Sequence, residues 1–159
     1  MSSAANHITP ANALIKARNY CAYQERCYYE VETKLKEWGL NYGFWGHICV
    51  KLSEEGYLSE SRYVSAYVRG KFNGNHWGRL KIINGLKSKR ITAKMMEEGL
   101  SHITDEMYKD MITKLLTKKS AALKESNPFK KRQKLVSFLH QKGFESDVVY
   151  SILDEMEND

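Results

Sequence analysis

Five histidines (His7, His47, His76, His102, His140) and three cysteines (Cys21, Cys27, Cys49) are the side chains best suited to hold a metal or attack a substrate. Their spacing serves neither purpose. Zinc sites bring Cys and His together in close pairs, typically about two to four residues apart. Here the nearest two cysteines stand six residues apart and no two histidines share a helical turn. Three thiols are also too few and too irregular for a disulfide framework, so they are expected free, in or near a reduced core. Gly74-Asn75-His76-Trp77-Gly78 reads as a turn, not a phosphate loop, because no Gly-Lys-Ser/Thr follows it. Carboxylates gather only in acidic segments and form no pair on an apolar face. No catalytic constellation emerges and no cofactor is implied, so the chain is expected not to be an enzyme.

What these residue types can do is bind anions. The formal net charge is +6, and its distribution is uneven. Basic and acidic side chains are balanced over residues 1–68. Residues 69–94 then carry Arg69, Lys71, Arg79, Lys81, Lys87, Lys89, Arg90 and Lys94 with no acid at all. Residues 113–142 hold a second basic block, Lys130, Lys131, Arg132 and Lys134 within it, against the single acid Glu125. From Gly143 onward there are six acids and no base. Two basic blocks along one molecule attract phosphate or an acidic protein groove through long-range field and counterion release; the plain alternative is solubility. The acidic end is a solvated terminus, a segment that repels nucleic acid from the last repeat, or a contact for a basic partner. Trp38, Trp45 and Trp77, with Tyr28, Tyr29 and Phe44, invite either base stacking beside cations or packing over joints between repeats.

The elements that position these groups are helical. Apolar residues recur every three or four positions, as in Leu14, Ala17 and Cys21. Proline occurs only at Pro10 and Pro128, which leaves room for uninterrupted helices. A threefold repeat is visible: Leu35-Lys36-Glu37-Trp38-Gly39-Leu40 can be laid over Leu86-Lys87-Ser88-Lys89-Arg90-Ile91 and over Leu139-His140-Gln141-Lys142-Gly143-Phe144. Each hexad reads as a helix stop, in which one residue turns left-handed and the next apolar side chain folds back. Gly takes that turn freely, whereas Arg90 is strained there, so the middle stop is expected to use different geometry. Local caps are Thr92, Thr104, Asn127 before Pro128, and Ser146. Upstream helices fall near 12–23, 60–72 and 105–124. The fold class expected is all-α, with three tandem three-helix repeats at 12–57, 58–102 and 103–159 in an elongated, curved molecule, after a disordered N-terminus at 1–11. A compact bundle is the alternative. No apolar run approaches the ~18 residues of a membrane span, and Met1 to His7 lack the form of a signal peptide, so a cytoplasmic location is expected.

Residues 56–91 carry a resemblance. Gly56-Tyr57-Leu58-Ser59-Glu60-Ser61-Arg62-Tyr63 is similar to the RecX-family pattern of Gly, two apolar residues, an acidic pair and Arg-Phe. Tyr67-Val68-Arg69 with Lys71 resembles that family's Tyr-Val-x-x-Arg helix end. Gly78, Lys81, Ile82 and Leu86 resemble its Gly-x-x-Arg-Ile-x-x-x-Leu stretch. Glu30 with Leu35, and Phe138-Leu139 through Gly143-Phe144, fit its first and third repeats. This sequence departs from the family at Trp77 (usually Lys), Arg90 (usually Gly), Val64 (usually Ala), and at Lys71 and Lys81, where Arg's bidentate fork is lost. The resemblance implies a protein of DNA repair, recombination and the SOS response that lies along the RecA–DNA filament and restrains it, acting as a monomer. Contacts would fall on Arg69, Lys71, Arg79, Lys81, Lys87, Lys89 and Arg90, and on Lys130, Lys131, Arg132 and Lys134. A direct DNA-binding helical module is the other reading. Tyr63, Tyr67, Ile82 and Leu86 are expected in the core, and Arg62 either pairs with Glu60 or Glu55 or meets a partner.

With no disulfide to lose, the melting temperature is expected to be the same with and without reductant. A large fall on reduction, followed by circular dichroism, contradicts the assignment of free thiols.

Overall fold

The computed structural model describes residues 7–159. Among the described residues there is no strand, and nine α-helices follow one another: α1 Pro10–Tyr23, α2 Tyr28–Glu37, α3 Trp45–Glu54, α4 Glu60–Arg69, α5 Arg79–Ser88, α6 Ala93–Leu100, α7 Asp105–Ala122, α8 Pro128–Gln141 and α9 Ser146–Glu157. A 3-10 turn, Tyr42–Phe44, leads into α3, and a π turn, Gly70–Gly74, extends α4.

Helix starts are set by side chains that satisfy otherwise unpaired N–H groups. Ser59, Thr92, Thr104 and Asn127 each accept from the N–H three residues on, opening α4, α6, α7 and α8. Thr9 does the same for Asn12 at 3.2 Å, with Pro10 in the first turn, where its missing N–H is harmless. The helix therefore begins inside the stretch read from sequence as disordered; the rest of that reading, residues 1–6, lies outside the described residues. Ser146 is a correction: it is the first residue of α9, and the capping position is Glu145, whose side chain makes no cap. Tyr108 and Arg79 claim that carboxylate instead. A second correction is the end of α4 at Arg69, after which the chain continues as the π turn Gly70–Gly74.

The three stops share one geometry. Leu40, Ile91 and Phe144 donate their N–H to the carbonyls of Leu35, Leu86 and Leu139 at 2.9, 3.2 and 3.0 Å. The residue before each donor is left-handed: Gly39 at φ 81°, Arg90 at φ 58° and Gly143 at φ 94°. Arg90 thus adopts the turn for which different geometry was expected. Its strain, about 1–2 kcal/mol, is offset by the buried Leu86–Ile91 contact and by its guanidinium, which rests 4.8 Å over the Tyr29 ring of the preceding repeat.

Helices pack within their own triplets: α1 on α2 and α3, α4 and α5 on α6, and α8 and α9 on α7. The buried residues form two cores. One, from Ala13 to Leu58, belongs to the first triplet and holds Leu35, Ile48 and Leu52. The other runs through the second and third triplets, including Ile82, Leu86, Tyr108, Ile112 and Leu139. Tyr63, Ile82 and Leu86 are buried in it as expected, and Tyr67 packs half-buried against it. Cys21, Cys27 and Cys49 are free and buried. The accessible surface, 10074 Å², exceeds the about 8,200 Å² of a compact monomer of this mass. The molecule is an elongated row of three-helix repeats, not a single bundle.

The second and third repeats meet main chain to main chain. Gly78 N–H donates to the Lys142 carbonyl at 2.8 Å and Leu80 N–H to the Gly143 carbonyl at 2.9 Å. Arg79 N–H donates to the Tyr108 hydroxyl at 3.0 Å. The open N-terminus of α5 is thereby satisfied by the C-terminal carbonyls of α8, with the two helix dipoles complementary. A methyl group at Gly78 would run into the main chain of Gly143 and Phe144. Gly78→Ala is therefore expected to destabilise the protein by about 1–3 kcal/mol, read as a lower urea midpoint. Gly70→Ala, where added Cβ meets nothing within 4 Å, is expected to be neutral or slightly stabilising.

Candidate interaction surface

The docking of α8 onto α5 gathers cations from distant parts of the chain. The π turn carries Lys71 to one side of Trp77, fixed by Trp77 N–H donating to the Lys71 carbonyl at 2.9 Å. Lys81, one turn into α5, reaches the same indole. Both ammonium groups lie 4.7 Å from the Trp77 ring centroid, within cation–π range. Lys142 donates to the Asn75 carbonyl at 3.2 Å. It shares the Phe138 ring with Lys119, at 5.8 and 4.7 Å.

His76 reports the local field. Burial, and then the charges of Lys114, Lys142 and Lys118, hold its imidazole below the usual histidine value, so it stays neutral near pH 7. Lys71, Lys81, Lys114, Lys118, Lys119 and Lys142 thus converge on the joint of the second and third repeats. Such a surface can bind phosphate or carboxylate groups on an extended partner. Among the described residues no group of three or more His, Cys, Asp or Glu is placed to hold a metal ion.

The residues singled out from sequence divide into two sets. Lys71 and Lys81 are brought together, while Arg69, Lys87, Lys130 and Lys131 make no ion pair among the described residues. The others are matched inside the fold. Arg79 bonds Glu145 at 3.2 Å and Asp105 at 3.4 Å, and stands 3.8 Å over Tyr108. Tyr108 in turn donates to Glu145, and burial first, then that carboxylate, push its hydroxyl pKa up. Lys89 pairs with Glu30 at 3.4 Å, Lys134 with Glu125 at 2.8 Å, and Arg132 with Asp154 and Glu157 at 2.6 and 2.8 Å. Arg90 lies against Tyr29.

Arg62 is structural, with a partner other than those expected. It reaches Glu25 at 3.0 Å and the Gly56 carbonyl at 2.7 Å, because Glu55 is held by Arg18 and Glu60 by the Tyr28 N–H. Trp38 and Trp45 pack against the first repeat's own core, Trp45 donating to the Leu40 carbonyl at 3.0 Å. Trp77 alone of the three sits at the joint of the second and third repeats. Lys114, Lys118, Lys119 and Lys142 were within the second basic run, but nothing in one sequence indicated that they face His76 and Phe138.

Comparison with known proteins assigns a family to this arrangement. Residues 59–100 match the model of the RecX second three-helix domain, and residues 105–153 that of the third. The chain is 27% identical over 147 residues to the regulatory protein RecX of Bacillus cytotoxicus, covering 92% of this chain and 54% of that protein. It therefore spans about half the length of the curated Bacillus relatives it matches. To the regulatory protein RecX of Finegoldia magna it is 29% identical, covering 84% of this chain and 66% of that one. The crystal structure of RecX from Lactobacillus salivarius superposes with a TM-score of 0.86 at 26% identity, covering 94% of this chain and 97% of that one.

Removing two cations from the joint tests its affinity for polyanions. The double variant Lys81→Ala, Lys142→Ala is expected to leave a heparin column at lower salt than the parent, and the double Lys→Arg variant at the parent's salt. Equal elution of the alanine variant removes these residues from the surface.

Proposed function

This chain belongs to the RecX family of regulatory proteins, and from that premise we propose that it binds RecA recombinase filaments and restrains their strand exchange, ATP hydrolysis and coprotease activity during DNA repair and the SOS response. The observation that carries the reading is the elongated row of repeats with its unpaired cations gathered at the joint between the second and third. A row of this kind suits a periodic partner. Several weak contacts along a filament add through effective concentration, without any deep pocket, and unmatched surface cations act on association far more than on folding.

In this reading Lys71 and Lys81 form the middle contact with Arg69 and Lys87 beside them, and Lys130 and Lys131 serve the third repeat. Arg79, Lys89, Arg132 and Lys134 support the surface from behind through their ion pairs. The protein acts as a monomer in the cytoplasm. No helix among the described residues is long and apolar enough to cross a membrane.

The same cations could meet bare DNA, and the grouping of Lys71, Trp77 and Lys81 favours phosphate contact over base stacking, since two ammonium groups already occupy positions over the indole. One measurement separates the readings. Inhibition of RecA ATP hydrolysis is expected to persist at salt that abolishes binding to bare DNA, because counterion release makes nonspecific DNA binding the more salt-sensitive process. Inhibition that disappears together with DNA binding favours the direct DNA-binding module.

A further inference from the structure

The two joints of the row are built differently. At the later joint, the start of α5 and the end of α8 approach through Gly78 and Gly143 with main-chain hydrogen bonds. The corresponding positions of the earlier joint, where the start of α2 meets the end of α5, are Cys27 and Arg90. Among the described residues no main-chain hydrogen bond joins the two helices there. The N–H groups at the start of α2 turn to carboxylates instead: Cys27 to Glu30 at 3.3 Å and Tyr28 to Glu60 at 3.0 Å.

The remaining ties across this joint are also side-chain contacts. Lys89 pairs with Glu30 at 3.4 Å, Arg62 with Glu25 at 3.0 Å, and Arg90 lies over Tyr29. Among the described residues Cys27 is the one buried residue of the first repeat that joins the long core, with Tyr29 half-buried against it. Two clefts flank the contact. One of 340 Å³ is lined by Glu25, Glu30, Tyr63, Tyr67, Lys71 and Lys89, and one of 270 Å³ by Tyr29, Glu32, Lys36, Trp45 and Arg90. The later joint, by contrast, is crossed by the rings of Phe72, Tyr108 and Phe144, the first pair stacked with centroids 6.2 Å apart and the second tilted at 5.3 Å.

We propose that the first repeat is a rigid module that swings about the α2–α5 joint, that the second and third repeats move as one body, and that screening of charge at the α2–α5 joint releases the swing. Ion pairs between partly exposed side chains, such as Arg62–Glu25, hold weakly and are weakened further by salt. Main-chain hydrogen bonds and aromatic packing are not. The articulated end lets the row adjust the spacing between its first and third repeats when it lies along an extended partner. This depends only on the joints and stands or falls separately from the identity of that partner.

Spin labels on the full chain test it. Asn19→Cys, Asn84→Cys and Thr117→Cys are exposed sites on α1, α5 and α7. The native thiols are shielded, and burial pushes Cys21 and Cys27 up to about 11 and Cys49 up to about 12, so they stay protonated during labelling. Pulsed electron-paramagnetic-resonance distances are taken at about 0.02 M and about 0.5 M salt, which shortens the screening length about fivefold. The Asn19–Asn84 distribution is expected to widen about twofold at high salt, with Asn84–Thr117 narrow and unchanged. Two distributions of equal width at both salts overturn the proposal, as does equal broadening of both. Loss of helicity on adding salt also overturns it, since the first repeat would then be melting, not swinging.

Discussion

The arrangement depends on one contact between main chains. An α-helix begins with N–H groups that have no partner inside the helix and ends with carbonyls in the same position. Gly78, Arg79 and Leu80 at the start of α5 are satisfied by Lys142, the Tyr108 hydroxyl and Gly143. Any side chain at Gly78 or Gly143 would push the two helices apart. Because they are close, Phe144 reaches Tyr108, Tyr108 reaches Phe72, and the cores of two small repeats become continuous. A three-helix unit of this size buries too little surface to be secure alone, so fusing two cores changes what the fold can tolerate.

The same contact builds the cationic surface. Lys142 reaches Asn75 only because α8 ends against α5, and Lys71 reaches Trp77 only because the π turn extends α4 toward that joint. Ion pairs then decide which cations remain available. Asp154 and Glu157 of the acidic end hold Arg132, and Glu155 holds Lys109, so this end of the chain neutralises its own repeat. Arg79 is spent on Glu145 and Asp105 in the same way. What is left unmatched is less than the total charge suggests and more localised.

Much of the architecture is legible in the sequence because it rests on local rules. A leucine, a left-handed residue and a returning apolar side chain mark each helix end by hydrogen bonds spanning six residues, so the hexads reveal three stops without any long-range information. Thr92, Thr104 and Asn127 cap by contacts three residues long. The local rules misled where tertiary contacts competed. Arg90 accepts backbone strain because Tyr29 of the neighbouring repeat receives its guanidinium. Ser146 loses the capping position to Glu145, and Arg62 finds Glu25 because its sequence neighbours are already engaged.

By itself, the sequence determined the helical class, the threefold repeat, the free thiols and the presence of two basic runs, since each follows from composition or from spacing within a few turns. It also carried the family, through residues 56–91. Only the tertiary structure decided which lysines stand together and which are neutralised. Lys71 and Lys81 meet over Trp77, and Lys142, some sixty residues further on, joins them through the approach of α5 and α8, while Arg132 and Lys134 sit in the same basic run as Lys142 yet are matched by Asp154, Glu157 and Glu125. Charge along a chain is a one-dimensional property. The field that a partner meets depends on distances and desolvation in three dimensions, and these arise only when the repeats dock.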